Sequence, residues 1–174
     1  LANEFNFDAN EINILDNGEI IEAINGTAIS YDKKISIDAK KFYYNKKNLT
    51  LEAFGDVKVN DVENKAIINS ENIFYNIKDR IISSKSNTII SDRIGNTYVA
   101  ENFYYSLNNK LIKVSNAKIT DIENNIYQID KAFINLKSNK LIGKDINIDL
   151  DNKSFQKNNE PRLNGKAIKS DGNE

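Results

Sequence analysis

Apolar and polar residues alternate with a period of two along most of the chain, the pattern of strands that bury one face. In Lys40-Lys41-Phe42-Tyr43-Tyr44, Phe42 and Tyr44 share one face while Lys41 and Tyr43 share the other. Leu49, Leu51 and Ala53 then alternate with Thr50 and Glu52. Val57 and Val59 resume the pattern after Gly55, where a bulge or bend is expected. No window sustains a helical period. The alternation predicts ten strands, at 7–15, 19–31, 35–44, 49–60, 66–76, 80–91, 97–106, 110–120, 126–136 and 140–150. Residues 152–174 lose the alternation and read as a polar tail.

The strands are organised in a repeat of about thirty residues, copied five times. Small or polar residues mark it at Ala9, Ala39, Ser70, Ala100 and Asp130, and three places later stand Ile12, Phe42, Ile73, Phe103 and Phe133. Periods of 20–50 residues signal stacked units that bury apolar faces against their neighbours. Two sets of turns punctuate the repeat. One comprises Asp16-Asn17-Gly18 and the segments beginning at Asn45, Asn76, Ser106 and Leu136; the other centres on Asp32, Asp61, Asp92, Asp121 and Asp151. Asp and Asn suit such turns because the side chain bonds the backbone two residues on. Each repeat is therefore two strands joined by tight turns. Hairpin turns favour antiparallel pairing, and a sandwich, a barrel or a β-solenoid remains open at this point.

Composition narrows the chemistry. The chain of 174 residues has 24 Lys plus Arg against 25 Asp plus Glu, so no basic stripe calls for nucleic acid. It contains no His, Cys, Met or Trp. Thiol nucleophiles, His bases, disulfides and the usual zinc ligands are thereby excluded. No apolar run approaches the ~18 residues that a membrane-spanning helix needs. Leu1 in place of Met points to a processed or excised chain.

The repeated Asp residues lack the glycine-rich context of calcium-binding nonapeptides, so turn chemistry accounts for them and no metal site is expected. Glu22, Glu52 and Glu101 show no spacing that would pair carboxylates at one catalytic centre. The expectation is a protein that is not an enzyme, with no cofactor. Lys40-Lys41 and Lys46-Lys47 suit a solvated strand edge, where lysine discourages unwanted pairing, or the rim of a groove that meets phosphate. The aromatics that recur at fixed phase are core residues, and as a set they can also line an apolar groove. The inward lining is read as Phe42, Tyr44, Leu51, Ile73, Tyr75, Ile81, Phe103, Tyr105, Leu111, Phe133 and Leu141.

The unit Ala-x-x-Phe-x-Tyr-Asn-x-Lys-x-x-x-Leu-x-Ala-x-Gly-x-Val-x-Val, from Ala39 to Val59, resembles the OstA-like repeat of lipopolysaccharide transport proteins: LptA, LptC and the periplasmic N-terminal domain of LptD. Glu52-Ala53-Phe54-Gly55-Asp56-Val57-Lys58-Val59 carries the resemblance best. Ile24-Asn25-Gly26-Thr27-Ala28-Ile29 is a looser copy, and the copies near Ser86 and Ser115 lack the glycine. The likeness covers residues 5–155. The stretch from Gly143 through Phe155 to Glu160-Pro161-Arg162-Leu163-Asn164-Gly165 looks like the part of LptD that leads towards its membrane barrel.

The resemblance implies an all-β, OstA-like β-jellyroll over residues 1–155, two antiparallel sheets facing each other in a V, followed by a polar linker over 156–174. It implies a periplasmic domain of an outer-membrane protein that takes lipopolysaccharide from LptA into an apolar groove. The partners it implies are LptA, stacked edge to edge, the LptD barrel in the same chain and an LptE-type lipoprotein. The physics agrees with a conduit. Full burial of a ~12-methylene chain yields ~10 kcal/mol at ~0.8 kcal/mol per CH2, so lipid that must move on needs shallow, similar sites in series. Two alternatives remain beside this reading: an LptA-like periplasmic bridge, and a structural or adhesive β-solenoid with parallel stacking.

Overall fold

The chain is all β in a computed structural model that describes residues 4–149 and 162–170. The strands are β1 (Phe5–Leu15), β2 (Ile20–Ser30), β3 (Ile35–Asn45), β4 (Thr50–Asp61), β5 (Ala66–Asn76), β6 (Ile81–Ser84), β7 (Thr88–Ser91), β8 (Thr97–Ser106), β9 (Leu111–Thr120), β10 (Ile126–Asn135), β11 (Lys140–Asp149) and β12 (Arg162–Ser170). Every described pairing is antiparallel and joins sequence neighbours; β6 and β7 together fill the one lane between β5 and β8. The result is a meander of eleven lanes. Consecutive hairpins are the opposite of parallel solenoid stacking. Residues 162–170, read from sequence as tail, form β12 and pair with β11. Asp151, Phe155 and Pro161 lie outside the described residues.

The sheet does not lie flat. Phe5 in β1 meets Tyr75 in β5 with ring centroids 5.8 Å apart, although four lanes separate them. Four lanes of flat sheet would span ~19 Å at ~4.8 Å each. The sheet is therefore folded across its own strands, and each strand contributes one part to each of two facing halves. One half ends in the Asp-type turns and the other in the Asn-type turns. The fold line runs along the row Ala9, Gly26, Ala39, Val57, Ser70, Thr88, Ala100, Ala117, Ile129, Ile146 and Gly165, which follows from the cross-strand register.

Small residues dominate this line, and at Gly26 the backbone of the neighbouring strand β1 leaves no room for a side chain. At Gly26 an added Cβ would stand 2.2 Å from the Asp8 carbonyl oxygen and 2.5 Å from the Ala9 Cα. Beside the line, alternate lanes carry a residue with positive φ: Asn25 in β2, Asp56 in β4, Asn116 in β9 and Asp145 in β11. In the β6–β7 lane the strand is broken between Ser84 and Thr88 instead. At Gly55-Asp56 an extra residue enters the ladder, the bulge expected from the sequence.

The turns follow their residue chemistry. Asn48 N–H donates to Asn45 Oδ1 at 2.9 Å, and Asp79 N–H donates to Asn76 Oδ1 at 3.0 Å. Asp32, Asp61, Asp92 and Asp121 each accept a backbone N–H from their own turn. Buried apolar residues from nearly every lane then form one continuous core cluster from Phe5 to Ile146.

Gly26→Ala should destabilise the fold by at least the ~1–3 kcal/mol typical of overpacking, because the new Cβ meets fixed backbone and not a side-chain tip. Urea unfolding followed by circular dichroism reads the change. An unaltered midpoint would mean that β1 and β2 have slack where they cross the fold line.

Candidate functional site

Among the described residues the interior between the two halves draws apolar side chains from nearly every lane, so its lining is the candidate site. In one half, a cross-strand row runs Ile21, Tyr44, Leu51, Tyr75, Ile82, Tyr105, Ile112, Ile134 and Leu141. The row beside it pairs a larger with a smaller residue at Phe42 with Ala53 and Phe103 with Val114, and ends in two small ones, Ala132 with Gly143. The facing half contributes Phe5, Phe7, Ile37, Val59, Ile68, Ile90, Tyr98 and Ile119. Phe7 packs on Phe42 and Tyr44 at centroid distances of 5.6 and 5.8 Å, and Phe5 packs on Tyr44 at 6.2 Å.

Of the eleven residues read as lining, Phe42, Tyr44, Leu51, Ile73, Tyr75, Phe103 and Tyr105 are buried, and Leu141 packs partly buried against the core. Three are misplaced. Ile81 pairs with Asn76 and Ser106, and Leu111 pairs with Ser106 and Asn135, so both lie on the other phase; Ile82 and Ile112 are the inward residues. Phe133 faces outward, 43% exposed, while Ala132 and Ile134 are buried. The cause is the bulge. The extra residue at Gly55-Asp56 moves the inward frame by one, and the unbulged β9–β10 passage moves it back, so a fixed count of thirty misses Ile82, Ile112 and Ala132. Phe74 and Tyr104 face outward, as the alternation requires. Ile12 and Ile14 keep the inward phase but are exposed, because no strand of the other half covers β1 there.

Opposite the fold line the two rows of turns meet in a seam. No described strand pairing crosses it; side chains do. Arg80 Nη1 lies 3.7 Å from Asp32 Oδ2, and Lys110 Nζ lies 3.0 Å from Glu63 Oε1. Lys34 binds the second oxygen of Glu63 at 2.7 Å. The buried carboxylate of Asp61 accepts a hydrogen bond from the Tyr105 hydroxyl, and Asn64 Nδ2 donates to Asp61 Oδ2 at 2.7 Å and to the Tyr105 oxygen at 2.9 Å. Both Asp32–Arg80 and Glu63–Lys110 join turns three lanes apart, so the halves are offset by ~14 Å along the stack.

Tyrosine hydroxyls report how the interior was made to accept polar atoms. Tyr98 donates to Asp92 and Tyr127 to Asp121, each with an Asn four residues after the Asp on the same carboxylate. Sequence reading took these Asp residues as turn formers; the repeated Asp-x-x-x-Asn-x-Tyr spacing was the available signal for their second role. Burial and the neighbouring Asp61 carboxylate push the Tyr105 hydroxyl far above its ordinary value. Glu63 is held down at about 2 by hydrogen bonds from Lys34 and Lys110 and by their charges. At the break between β6 and β7, Ser70, Ser84, Ser86 and Thr88 form a hydroxyl cluster with contacts of 2.7–3.2 Å. Among the described residues no cluster of three His, Cys, Asp or Glu side chains suits a metal ion. No helix of the described chain is long and apolar enough to cross a membrane.

Compared with known proteins, the sequence matches no family model, and no curated protein matches it.

Tyr105→Phe removes a donor from a buried carboxylate and should cost about 1–3 kcal/mol in urea unfolding, whereas Tyr75→Phe, whose hydroxyl has no such partner, should stay close to the parent. Glu63 gives a pH signature. Its folded value lies below the ordinary 4.5, so its stabilisation is present above about pH 4.5 and disappears as the pH falls towards 2. The melting-temperature gap between the parent and Glu63→Gln should accordingly be open at pH 6 and close on acidification; a gap independent of pH would show that the two lysines do not act through the charge.

Proposed function

We propose that this chain is a non-enzymatic conduit domain for lipopolysaccharide, working in the periplasm as the N-terminal part of an LptD-like outer-membrane assembly protein. The observation that carries the reading is an apolar interior, continuous along the stack, closed on one side by strands that cross the fold line in every lane but that of β6 and β7, and on the other only by a side-chain seam. The repeat from Ala39 to Val59 supplies the resemblance to the transport family, and the fold class agrees with it.

Energetics favour this use of the seam. The exposed ion pairs Asp32–Arg80 and Glu63–Lys110 contribute little, because solvent screens them. Burial of an acyl chain supplies ~0.8 kcal/mol per CH2, so a few methylenes offset both. Inside, lipid exchanges one apolar contact for another. The Asp61–Asn64–Tyr105 cluster is the strongest single tie, and it sits at one lane only.

The offset of the halves supports stacking with a partner such as LptA. At the N-terminal end Ile12 and Ile14 present an uncovered inward face, 44% and 66% exposed. At the other end Leu163 in β12 is 53% exposed on the opposite half. An outer edge of β1 and an outer edge of β12 remain unpaired among the described residues, ready templates for an added strand. Because both ends have this form, an LptA-like bridge that stacks at each end is the second reading. In the first, the barrel and an LptE-type lipoprotein complete the assembly.

A photo-crosslinking residue at Tyr75 or Phe103 should capture lipopolysaccharide, while the same residue at Phe74 or Tyr104 should capture none. Capture at the outward pair, or equal capture at both, overturns an interior path.

A further inference from the structure

The half that ends in the Asn-type turns has an outer face as well as an inner one. Its middle outward row reads, from β3 to β10, Tyr43, Glu52, Phe74, Ser83, Tyr104, Lys113 and Phe133. An aromatic ring stands at every second lane. Phe74, Tyr104 and Phe133 are 42%, 36% and 43% exposed. The matching outward row of the other half, Asp38, Lys58, Asn69, Ile89, Val99 and Lys118, has no aromatic residue. Strand propensity alone would place rings on both outer faces. Exposed rings recurring on one face only mark a surface that meets a partner.

The charges on this face are arranged in opposite senses about β6. Glu52 lies two lanes before Ser83, and Lys113 lies two lanes after it. Further out, Glu22 stands in β2, while Lys131, Lys140 and Lys144 stand in β10 and β11. Between the fold line and the Asn-type turns, the outward positions of β9, β10 and β11 hold no carboxylate. Glu22, Glu52, Lys113 and Lys131 form no ion pair among the described residues. The Lys113 ammonium is held over its aromatic neighbours, 5.2 Å from the Tyr104 ring centroid and 5.6 Å from that of Phe133.

A face that is acidic on one side of β6, basic on the other and aromatic throughout is complementary to itself turned end for end. We propose that it binds a second copy of this chain about a two-fold axis running along β6. That axis sets Glu52 of each copy on Lys113 of the other, Phe74 on Tyr104, and Tyr43 on Phe133. Every contact is then made twice, as in any isologous interface. Lys41 meets Lys131 as a like-charge match, at the margin beside the fold line. The nine lanes from β2 to β11, at ~4.8 Å each, and five residues of strand at ~3.4 Å each offer up to ~700 Å2 per copy, close to the ~800 Å2 of a standard interface. The outer edges of β1 and β12 are not used, so this contact is separate from end-to-end stacking and does not rest on the conduit reading.

Sedimentation equilibrium of the full chain tests it. A dimer that dissociates on dilution through the micromolar range is expected. Lys113→Glu and Glu52→Lys should each weaken dimerisation about tenfold or more, and the two substitutions together should restore it to within about threefold of the parent. A photo-crosslinking residue at Phe74 should join two copies, while the same residue at Asn69 should not; this arm needs no charged variant. A monomer at every concentration, a double variant as weak as the single ones, or crosslinking at Asn69 in place of Phe74 overturns the inference. So does a dimer that both single variants leave intact, which would move the contact to the strand edges. A monomer that binds phosphatidylglycerol vesicles through Lys113 would assign the face to an anionic lipid surface and would equally overturn the second copy.

Discussion

Everything in this molecule depends on one constraint: a sheet with a single apolar face and no helix to cover it must cover itself. Folding across the strands at the Ala9–Gly26–Ala39 line does so. Each lane then supplies both a floor and a roof. The floor of one lane is roofed about three lanes away, which is why Phe5 touches Tyr75 and why Asp61 reaches Tyr105. Small residues at the fold line and positive-φ residues in alternate lanes are the local requirements of that crease.

The three-lane offset makes the ends unlike the middle. In the middle every inward side chain has a roof, and Phe42, Tyr44, Leu51 and Ile82 are fully buried. At the first strand the roof is missing, so Ile12 and Ile14 keep the inward phase without the burial. A stack built this way carries its own unfinished surface at each end, of opposite hand. Such surfaces are a liability for a solitary chain and a docking feature for a chain with neighbours.

Much of this was legible in the sequence. The period of two gave the strands, the thirty-residue repeat gave the stack, and the Asp and Asn turns appeared where expected, with Asn45, Asn76 and Asp92 bonding their own backbones. Seven of the eleven lining residues are buried because alternation within a strand survives any error between strands. Ile81 and Leu111 failed because the bulged residue at Gly55-Asp56 moves the inward frame by one, and Phe133 failed because the frame moves back before β10; a count along the chain registers neither change. β12 failed for another reason. Its Arg162-Leu163-Asn164-Gly165 start is polar, and it is ordered by the edge of β11 and not by its own pattern. The seam was out of reach altogether, since Asp61 and Tyr105 are 44 residues apart and only the offset brings them together.

For the conduit proposed above, a filled interior is no obstacle to carrying lipid; it is what would make opening selective. Parting the seam in water would expose the apolar faces of both halves at ~25 cal/mol per Å2, a cost that grows with every lane opened. The polar ties along the seam are minor beside that cost, because exposed pairs such as Glu63–Lys110 are worth little. Closure is thus enforced by the apolar faces, and an apolar chain is the one agent that can separate them without exposing them. In the inward row Tyr44, Tyr75 and Tyr105 recur every second lane, with Leu51 and Ile82 between them. On the proposed function, an acyl chain that displaces one such contact would meet a similar one two lanes further on, so neither closure nor passage would hinge on any single lane.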